Sequence, residues 1–348
     1  MIYMTRIAPK SPSAHTASTI VTKLQTYFVD GLNDLSYMLG SNKPFSPVEW
    51  FRDAGTHGGG VRYESGDEQL FNRGSVNYSQ VHYDDDVTKK LSSATAISTI
   101  IHPNNPLAPS MHMHISWTQM RDGSGYWRVM ADLNHSNPDA SDTKEFENML
   151  QEAAGSYYVE GSAQGNRYFY IPALGRHRGV SHFYLENFNT ADEVSDQKFA
   201  LDFGMKVIDT YINIIRNAIQ NRTFYDEVAQ SNQLNYHTLY LLQVLTLDRG
   251  TTSGLLIHDQ NDVGIMGSLP SHVDKRLLQS WIGRLNGVQN DLLQAIVDAL
   301  GEGDTILVDE NIKVALANAV RQHYKQHPQA IALQASGDHI PSTVNNHR

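Results

Sequence analysis

The chain has 348 residues, of which 40% are hydrophobic and 18% are charged, so it can bury a large core in one domain or in one domain with an appendage. The formal net charge of −10 argues against a nucleic-acid partner, because that kind of binding depends on clustered lysine and arginine side chains. The chain contains no cysteine, which excludes disulfides, thiolate nucleophiles and thiolate metal sites and leaves His, Asp and Glu as the residues available for chemistry.

The sequence predicts neither a membrane span nor a secretory signal. No run of about 18 apolar residues occurs anywhere in it. The N-terminal residues lack the charged, apolar and small-residue segments that make up a signal peptide. We therefore expect a cytoplasmic protein.

Helices are predicted near both ends of the chain and in its middle. In residues 17–40, apolar side chains recur every three or four positions, which is typical of an amphipathic helix. Residues 141–154 have a helical composition, and residues 196–221 repeat apolar side chains with a helical period. Further helix is predicted beyond Ser271, as far as residues 311–326, after which the pattern is lost and we expect a mobile tail.

Short apolar or alternating runs, separated by turn residues, predict β-strands between these helices. The runs cover residues 49–83, where glycines divide the chain into several strands, and residues 96–103, 111–117, 125–135, 167–174, 181–188 and 238–248. Because short turns join neighbouring runs, an antiparallel arrangement is the simplest explanation. The sequence therefore predicts an α+β fold in which a large, mainly antiparallel sheet is flanked by helices on both faces.

Two histidines alternate along one of the predicted strands. In an extended strand over residues 111–117, His112, His114 and Ser116 share one face, and the apolar residues between them share the other. Two interpretations remain open at this point. The histidines belong to the polar face of a half-buried strand, or they form a metal site together with a carboxylate.

Asp132 follows an apolar run and is predicted to lie near the end of a neighbouring strand. A buried carboxylate is costly unless a cation or a hydrogen-bond donor accompanies it, and Arg178 is a candidate partner. A carboxylate, an imidazole and a guanidinium on one sheet face would suit acid–base chemistry on an acidic substrate. The alternative is that all three are ordinary surface residues.

Several segments, taken in their order along the chain, resemble the oxygen-dependent coproporphyrinogen III oxidases. The segment IIHPNNPLAPSMH, residues 100–112, resembles the family signature I-H-P-x-N-P-x-x-P-x-x-H. Further similar segments are GSVNYSQV (residues 74–81), ADLNHSNPD (131–139), RYFYIPALGRHRGVSHFYLENFN (167–189) and LDRGTTSGL with IMGSLP (247–270). The resemblance extends over roughly residues 16–284.

The resemblance implies a flat antiparallel sheet between helices, a homodimer, and a reaction of haem biosynthesis. In that reaction, two propionate side chains of coproporphyrinogen III are oxidatively decarboxylated to vinyl groups, with molecular oxygen as co-substrate and no obligatory cofactor. We accordingly expect an N-terminal arm of residues 1–15 and a coproporphyrinogen oxidase-like domain of residues 16–285. Residues 286–348 are expected to form a C-terminal helical extension with a mobile tail.

The same resemblance implies roles for individual residues. His112 matches a histidine assigned as an acid, Asp132 matches an aspartate that engages pyrrole N–H groups, and Arg178 matches an arginine near the pocket. The candidate substrate-binding residues are Asn77, Ser98, His114, Ser116 and His182.

The chain departs from the family pattern around the expected pocket. Ser116 stands where the family has an arginine, residues 181–182 replace two glycines, and residues 127–130 replace a triple glycine. Arginine is well suited to binding carboxylates, and larger side chains would reshape a pocket that was lined by glycine.

These departures leave two alternatives open. The first is an enzyme of the same fold that uses oxygen to oxidise or decarboxylate a different, smaller acid. No metal is expected for the main interpretation, but this alternative could use a divalent metal bound by His112, His114 and Asp132. The second alternative is a non-catalytic homologue that acts as a binding partner.

Overall fold

The computed structural model of the chain describes residues 5–338 and 343–347. The strands within these residues are β1 (Ser46–Phe51), β2 (Gly58–Glu64), β3 (Phe71–His82), β4 (Leu91–Pro103), β5 (Ser110–Met120), β6 (Gly125–Asn134), β7 (Tyr170–Ile171), β8 (Arg176–His177), β9 (Ser181–Phe188), β10 (His272–Asp274) and β11 (Thr305–Leu307). One sheet contains seven of these described strands in the order β1–β2–β3–β4–β5–β6–β9, and every neighbouring pair in it is antiparallel. The predicted large antiparallel sheet is therefore confirmed.

Helices cover both faces of this sheet. The helices of the described chain are α1 (Pro12–Met38), α2 (Ala140–Ala154), α3 (Tyr158–Phe169), α4 (Glu193–Asn221), α5 (Glu227–Thr246), α6 (Arg249–Ile257), α7 (Asp262–Ile265), α8 (Lys275–Gln279), α9 (Gln289–Ala299), α10 (Glu310–Gln326) and α11 (Thr343–His347). One sheet face shares a hydrophobic core with α1, α2 and α4, whereas α5, α6, α9 and α10 form a second core on the other side. This arrangement confirms the α+β class. None of the described helices is long and apolar enough to cross a membrane.

The first helix begins earlier than the apolar pattern predicts. Helix α1 starts at Pro12 instead of residue 17, because the Ser11 hydroxyl accepts a hydrogen bond from the backbone N–H of Ala14 and caps the helix. Proline suits the first helical position, where its missing N–H would have no partner inside the helix. The buried side chains of α1, such as Leu24 and Phe28, keep the predicted helical spacing and pack against the sheet.

Two of the predicted strands are wrong. Residues 238–246 lie in α5, where every residue from 236 to 246 is buried. A helix surrounded by protein on all sides shows a continuous apolar run, which does not distinguish it from a buried strand. Residues 167–169 end α3, and only Tyr170 and Ile171 of that predicted strand are extended. Residues 181–188, by contrast, form β9 as predicted.

The chain after α10 packs in part against the remainder of the molecule. Residues 328–333 form a short 3-10 helix in which Ala330 is fully buried. Residues 339–342 and 348, which belong to the predicted mobile tail, lie outside the described residues. The mobility of the tail and the domain boundaries near residues 15 and 285 therefore stay predictions.

Candidate active site

A cavity of about 290 Å³ lies between the sheet and the helices α5, α6 and α7. One wall is formed by alternate side chains of β3, β4, β5 and β6. The opposite wall contains Tyr240 and Val244 of α5 and several residues of α6. Thr343 and His347 of α11 also line the cavity. A concave site with apolar walls and a few convergent polar groups is the usual form of a small-molecule site.

Strand β5 separates the cavity from the hydrophobic core. His112, His114 and Ser116 line the cavity, whereas Met113 and Ile115 are fully buried in the core on the other face. The alternation predicted for residues 111–117 is therefore confirmed. It follows from the period of two residues that any extended strand imposes on its side chains.

Antiparallel pairing brings the predicted substrate-binding residues of three strands together. Asn77 of β3 is paired with Ser98 of β4, and Ser98 is paired with His114 of β5. Ser116 lies two residues further along β5, and its hydroxyl is 2.9 Å from Nε2 of His114. All four of these side chains line the cavity.

The predicted catalytic residues form one hydrogen-bonded chain. Nδ1 of His112 donates to Oδ1 of Asp132 at 3.0 Å, and Nη2 of Arg178 donates to Oδ2 of Asp132 at 2.8 Å. The Asn134 amide donates to the same Oδ2 at 2.6 Å. Burial alone would raise the pKa of Asp132, but the Arg178 guanidinium, followed by the His112 ring, outweighs burial and lowers this pKa below its usual value. Asp132 is therefore an anion throughout the physiological pH range.

The Arg178 guanidinium contacts an amide oxygen and two aromatic rings besides Asp132. Its Nη1 donates to Oε1 of Gln243 at 2.6 Å, and the rings of Phe169 and Tyr240 lie 4.6 and 4.9 Å from its guanidinium carbon. The side chain touches the cavity, but only 1% of its surface is exposed. Nη1 and Nη2 serve Gln243 and Asp132, whereas Nε is buried without a hydrogen-bond partner. Arg178 therefore neutralises the buried carboxylate and presents little surface to an acidic substrate.

Two predicted site residues do not line the cavity. Asp132 has no exposed surface, because His112 lies between its carboxylate and the cavity and its oxygens are engaged by neighbouring side chains. The structure does not place His182 among the predicted substrate contacts either. Its Nε2 donates to the backbone oxygen of Arg178 at 2.6 Å, and its ring stacks on Phe169. Burial lowers the pKa of His182 to about 4, so this ring is a neutral structural element.

The three residues considered for a metal are not arranged around a common point. Within the described residues, no three His, Asp or Glu side chains are placed so that they could hold one ion. His112 turns Nδ1 to Asp132, whereas His114 turns Nε2 to Ser116. Burial, with smaller contributions from the His112 ring and the Arg128 guanidinium, lowers the pKa of His114 to about 3.

The structure adds two arginines that the sequence interpretation missed. Arg128 and Arg249 both line the cavity, and Arg249 forms a buried ion pair with Glu186. Arg128 was predictable in principle, because it lies four residues before Asp132 in the same strand and therefore on the same sheet face. Ser116, where the family has an arginine, is the cross-strand partner of Arg128.

Comparison with known proteins identifies the family. The family described as coproporphyrinogen III oxidase matches residues 16–280, which is well over half of the chain. The chain belongs to the coproporphyrinogen III oxidase family. The resemblance noted from the sequence motifs is thus confirmed, and the matched region contains every predicted site residue.

Curated relatives of this coproporphyrinogen III oxidase family member are named oxygen-dependent coproporphyrinogen-III oxidase. The Dictyostelium discoideum protein is 30% identical over 190 residues, which cover 51% of this chain and 54% of the relative. A Rickettsia bellii protein is 27% identical over 250 residues, which cover 66% of this chain and 84% of the relative. The mitochondrial protein of Rattus norvegicus is 23% identical over 256 residues, which cover 65% of this chain and 56% of the relative. The chain thus spans about half the length of the Dictyostelium and rat relatives.

Proposed function

We propose that this family member catalyses the oxygen-dependent oxidative decarboxylation of coproporphyrinogen III in haem biosynthesis, converting two propionate side chains to vinyl groups. The observation that carries the proposal is the hydrogen-bonded chain from His112 through Asp132 to Arg178 at the wall of the cavity. Arg128 and Arg249 add cationic groups to the same cavity, as an acidic substrate requires. The family and the names of the relatives support the same activity.

Each decarboxylation breaks the carbon–carbon bond to the carboxyl group and one C–H bond on the carbon next to the pyrrole. A carbon–carbon double bond forms, and CO₂ leaves. The two electrons released reduce O₂, which takes one proton from the broken C–H bond and one from the carboxylic acid and leaves as H₂O₂. Molecular oxygen is therefore the co-substrate and the oxidant, and no other electron acceptor is needed for the balance.

We assign proton transfer at the substrate to His112. Its Nδ1 is committed to Asp132, and its Nε2 makes no hydrogen bond within the described part of the chain, so Nε2 is the atom that can accept a pyrrole N–H proton. Removing that proton makes the ring more electron-rich and easier for oxygen to oxidise. Asp132 acts through His112, because a buried anion that accepts from Nδ1 fixes the tautomer and the orientation of the imidazole ring. In this assignment Asp132 and Arg178 are positioning residues, and Asp132 does not contact the pyrrole itself.

The homodimer, the cytoplasmic location and the absence of an obligatory cofactor are proposals that rest on the family resemblance and on the sequence. Light scattering during gel filtration of the purified chain would test the dimer. Metal analysis of the same sample, together with turnover after treatment with a chelator, would test whether a divalent metal takes part. One rat relative is named as mitochondrial, so the location needs its own measurement in cells.

The activity is tested by incubating the purified protein with coproporphyrinogen III in air and, in parallel, without oxygen. We expect protoporphyrin fluorescence after chemical oxidation of the product, with H₂O₂ and CO₂ released in equal amounts, only in the aerobic sample. No vinyl product in air would refute the activity, and turnover of a smaller carboxylic acid instead would favour the alternative substrate.

A matched pair of histidine variants separates catalysis from general damage. His112→Asn should lower turnover by roughly 10²- to 10⁴-fold, the range typical of a lost general acid or base. His15→Asn, at an exposed position of α1 outside the cavity, should leave turnover unchanged. Equal activity of the two variants would contradict the role of His112.

A further inference from the structure

Arg128 is a charged side chain of the cavity wall that has no carboxylate partner. Its Nη2 donates to the hydroxyl of Tyr126 at 3.1 Å and to the hydroxyl of Thr343 at 3.3 Å. Its Nε is buried and makes no hydrogen bond, and Nη1 makes none within the described residues. No Asp or Glu oxygen of the described chain lies within the 4.0 Å ion-pair distance of this guanidinium.

The two other arginines of the cavity wall are each neutralised. Arg178 is paired with Asp132 at 2.8 Å, and Arg249 is paired with Glu186. Burial disfavours the charged form of Arg128, but the Tyr126 and Tyr184 side chains and the more distant Glu186 carboxylate outweigh burial and raise the pKa of Arg128 above its usual value. The Arg128 side chain is therefore a cation, although no carboxylate makes an ion pair with it within the described residues. Arginine donors are arranged as a planar fork that matches a carboxylate, and at Arg128 part of that fork is free. Arg128 therefore keeps donors with which it can bind an anion that enters the cavity.

Arg128 lies at a distance from His112 that suits a second carboxylate of the same substrate molecule. It lies on β6 four residues from Asp132, which at about 3.4 Å per residue corresponds to roughly 14 Å along the strand. The cavity therefore has a reaction end at His112 and a cationic end at Arg128. His114 lies between them on β5, and its Nε2 is 2.9 Å from the Ser116 hydroxyl.

We propose that Arg128 binds a second carboxylate of the substrate while the reacting propionate lies near His112, so that the enzyme selects acids whose carboxylates are separated by the length of the cavity. The inference rests on the proposed function, because that function places the reaction at His112. A monocarboxylic acid of the same size would leave Arg128 unpaired and would bind less tightly.

The first test compares steady-state kinetics with coproporphyrinogen III for the wild type, Arg128→Met and Arg128→Lys. Loss of a charged hydrogen-bonding group should raise KM roughly 10- to 100-fold for Arg128→Met, with kcat changed far less. Arg128→Lys should recover part of the affinity, because it keeps the charge without the planar fork. Arg276→Met is the matched control, since the Arg276 side chain is 72% exposed in an ion pair with Asp304 outside the cavity. An unchanged KM in Arg128→Met overturns the inference.

A second measurement distinguishes failure of this inference from failure of the proposed activity. Coproporphyrin III, the oxidised and unreactive form of the substrate, should raise the melting temperature of the wild type and of Arg276→Met but not that of Arg128→Met. If the wild type binds it through Arg128 but does not turn over coproporphyrinogen III, the carboxylate-binding role of Arg128 stands and the proposed activity is wrong. If the wild type and Arg128→Met turn over coproporphyrinogen III with the same KM, the activity stands and the role of Arg128 is wrong. A wild type that neither binds coproporphyrin III nor turns over coproporphyrinogen III overturns both proposals.

The melting temperature without ligand tests whether Arg128 is merely structural. Methionine has a similar length and no charge to desolvate, so Arg128→Met should melt at or above the temperature of the wild type. A clearly lower melting temperature, or a variant that does not fold, would show that Arg128 supports the fold and would overturn its role as a substrate anchor.

Discussion

Replacing Asp132 with asparagine removes the negative charge at the centre of the chain that joins His112 to Arg178. Asp132 has no exposed surface, and it accepts hydrogen bonds from His112 at 3.0 Å and from Arg178 at 2.8 Å. Arg178 is 1% exposed, so the substitution leaves a buried guanidinium without its counter-ion. Breaking a buried ion pair on one side costs about 3–5 kcal/mol of unfolding free energy. The same change removes the acceptor that orients His112, and turnover should fall roughly 10²- to 10⁴-fold.

The free energy of unfolding is measured by urea titration with linear extrapolation, and turnover is measured under conditions in which the variant is folded. Asp142→Asn is the matched control. Asp142 is 2% exposed and accepts hydrogen bonds from Arg222 at 2.6 and 2.7 Å, but it lies outside the cavity. The control should lose stability and keep its turnover. If the free energy of unfolding of Asp132→Asn lies within about 1 kcal/mol of the wild-type value, as expected for a surface ion pair, the electrostatic argument is refuted. Unchanged turnover would refute the proposed role of Asp132 in catalysis.

Three further predictions follow from the same geometry. Arg178→Lys should lower kcat more than it raises KM in steady-state kinetics, because a lysine cannot reproduce the planar contacts that hold Asp132. A rise in KM alone would mean that Arg178 binds the substrate directly. The free energy of unfolding should decrease as the pH falls from about 6.5 towards 4. Burial lowers the folded-state pKa of His182 to about 4 and that of His114 to about 3. In this pH window only the unfolded chain takes up protons at these two histidines, so protonation favours unfolding. Each of these histidines contributes up to about 1.4 kcal/mol per pH unit, and urea titrations that give equal stability at about pH 7 and pH 5 would contradict the sign. Met113→Ala, in the core behind the cavity wall, should cost about 2–5 kcal/mol of stability with KM unchanged, and an altered KM would show that the two faces of β5 are coupled.

The parts of the site that follow from local geometry were predictable from the sequence. Alternation placed His112 and His114 on one face because the period of a strand does not depend on its neighbours. The partnership of Asp132 and Arg178 was predictable because a buried carboxylate needs a cation. The family motifs added the residues of β3 and β4, which no spacing rule connects to β5.

Features that depend on pairing register and on burial were not predictable in the same way. The contact of Asp132 with His112 instead of the cavity depends on which residues of β5 and β6 face each other. His182 is withdrawn from the cavity by a backbone oxygen and an aromatic ring that only the folded chain brings near it. The wrong strand over residues 238–248 has a related cause, because residues 236–246 of α5 are surrounded by protein and show no polar face.

The strict two-face arrangement of β5 and β6 has a consequence for how this scaffold can acquire new substrates. The cavity residues of these strands are the even-numbered positions 112–118 and 128–130, and their odd-numbered neighbours form the core. A combinatorial library confined to the even positions other than 112 could vary the charge and the size of the side chains that face the ligand. It would leave the core residues and His112 unchanged. A one-residue deletion in the connecting turn would instead interchange the two sets along one strand, exposing hydrophobic side chains and burying polar ones. This architecture therefore tolerates point substitutions at alternating positions as a route to new specificity. It does not tolerate length changes in the hairpin that joins the two strands.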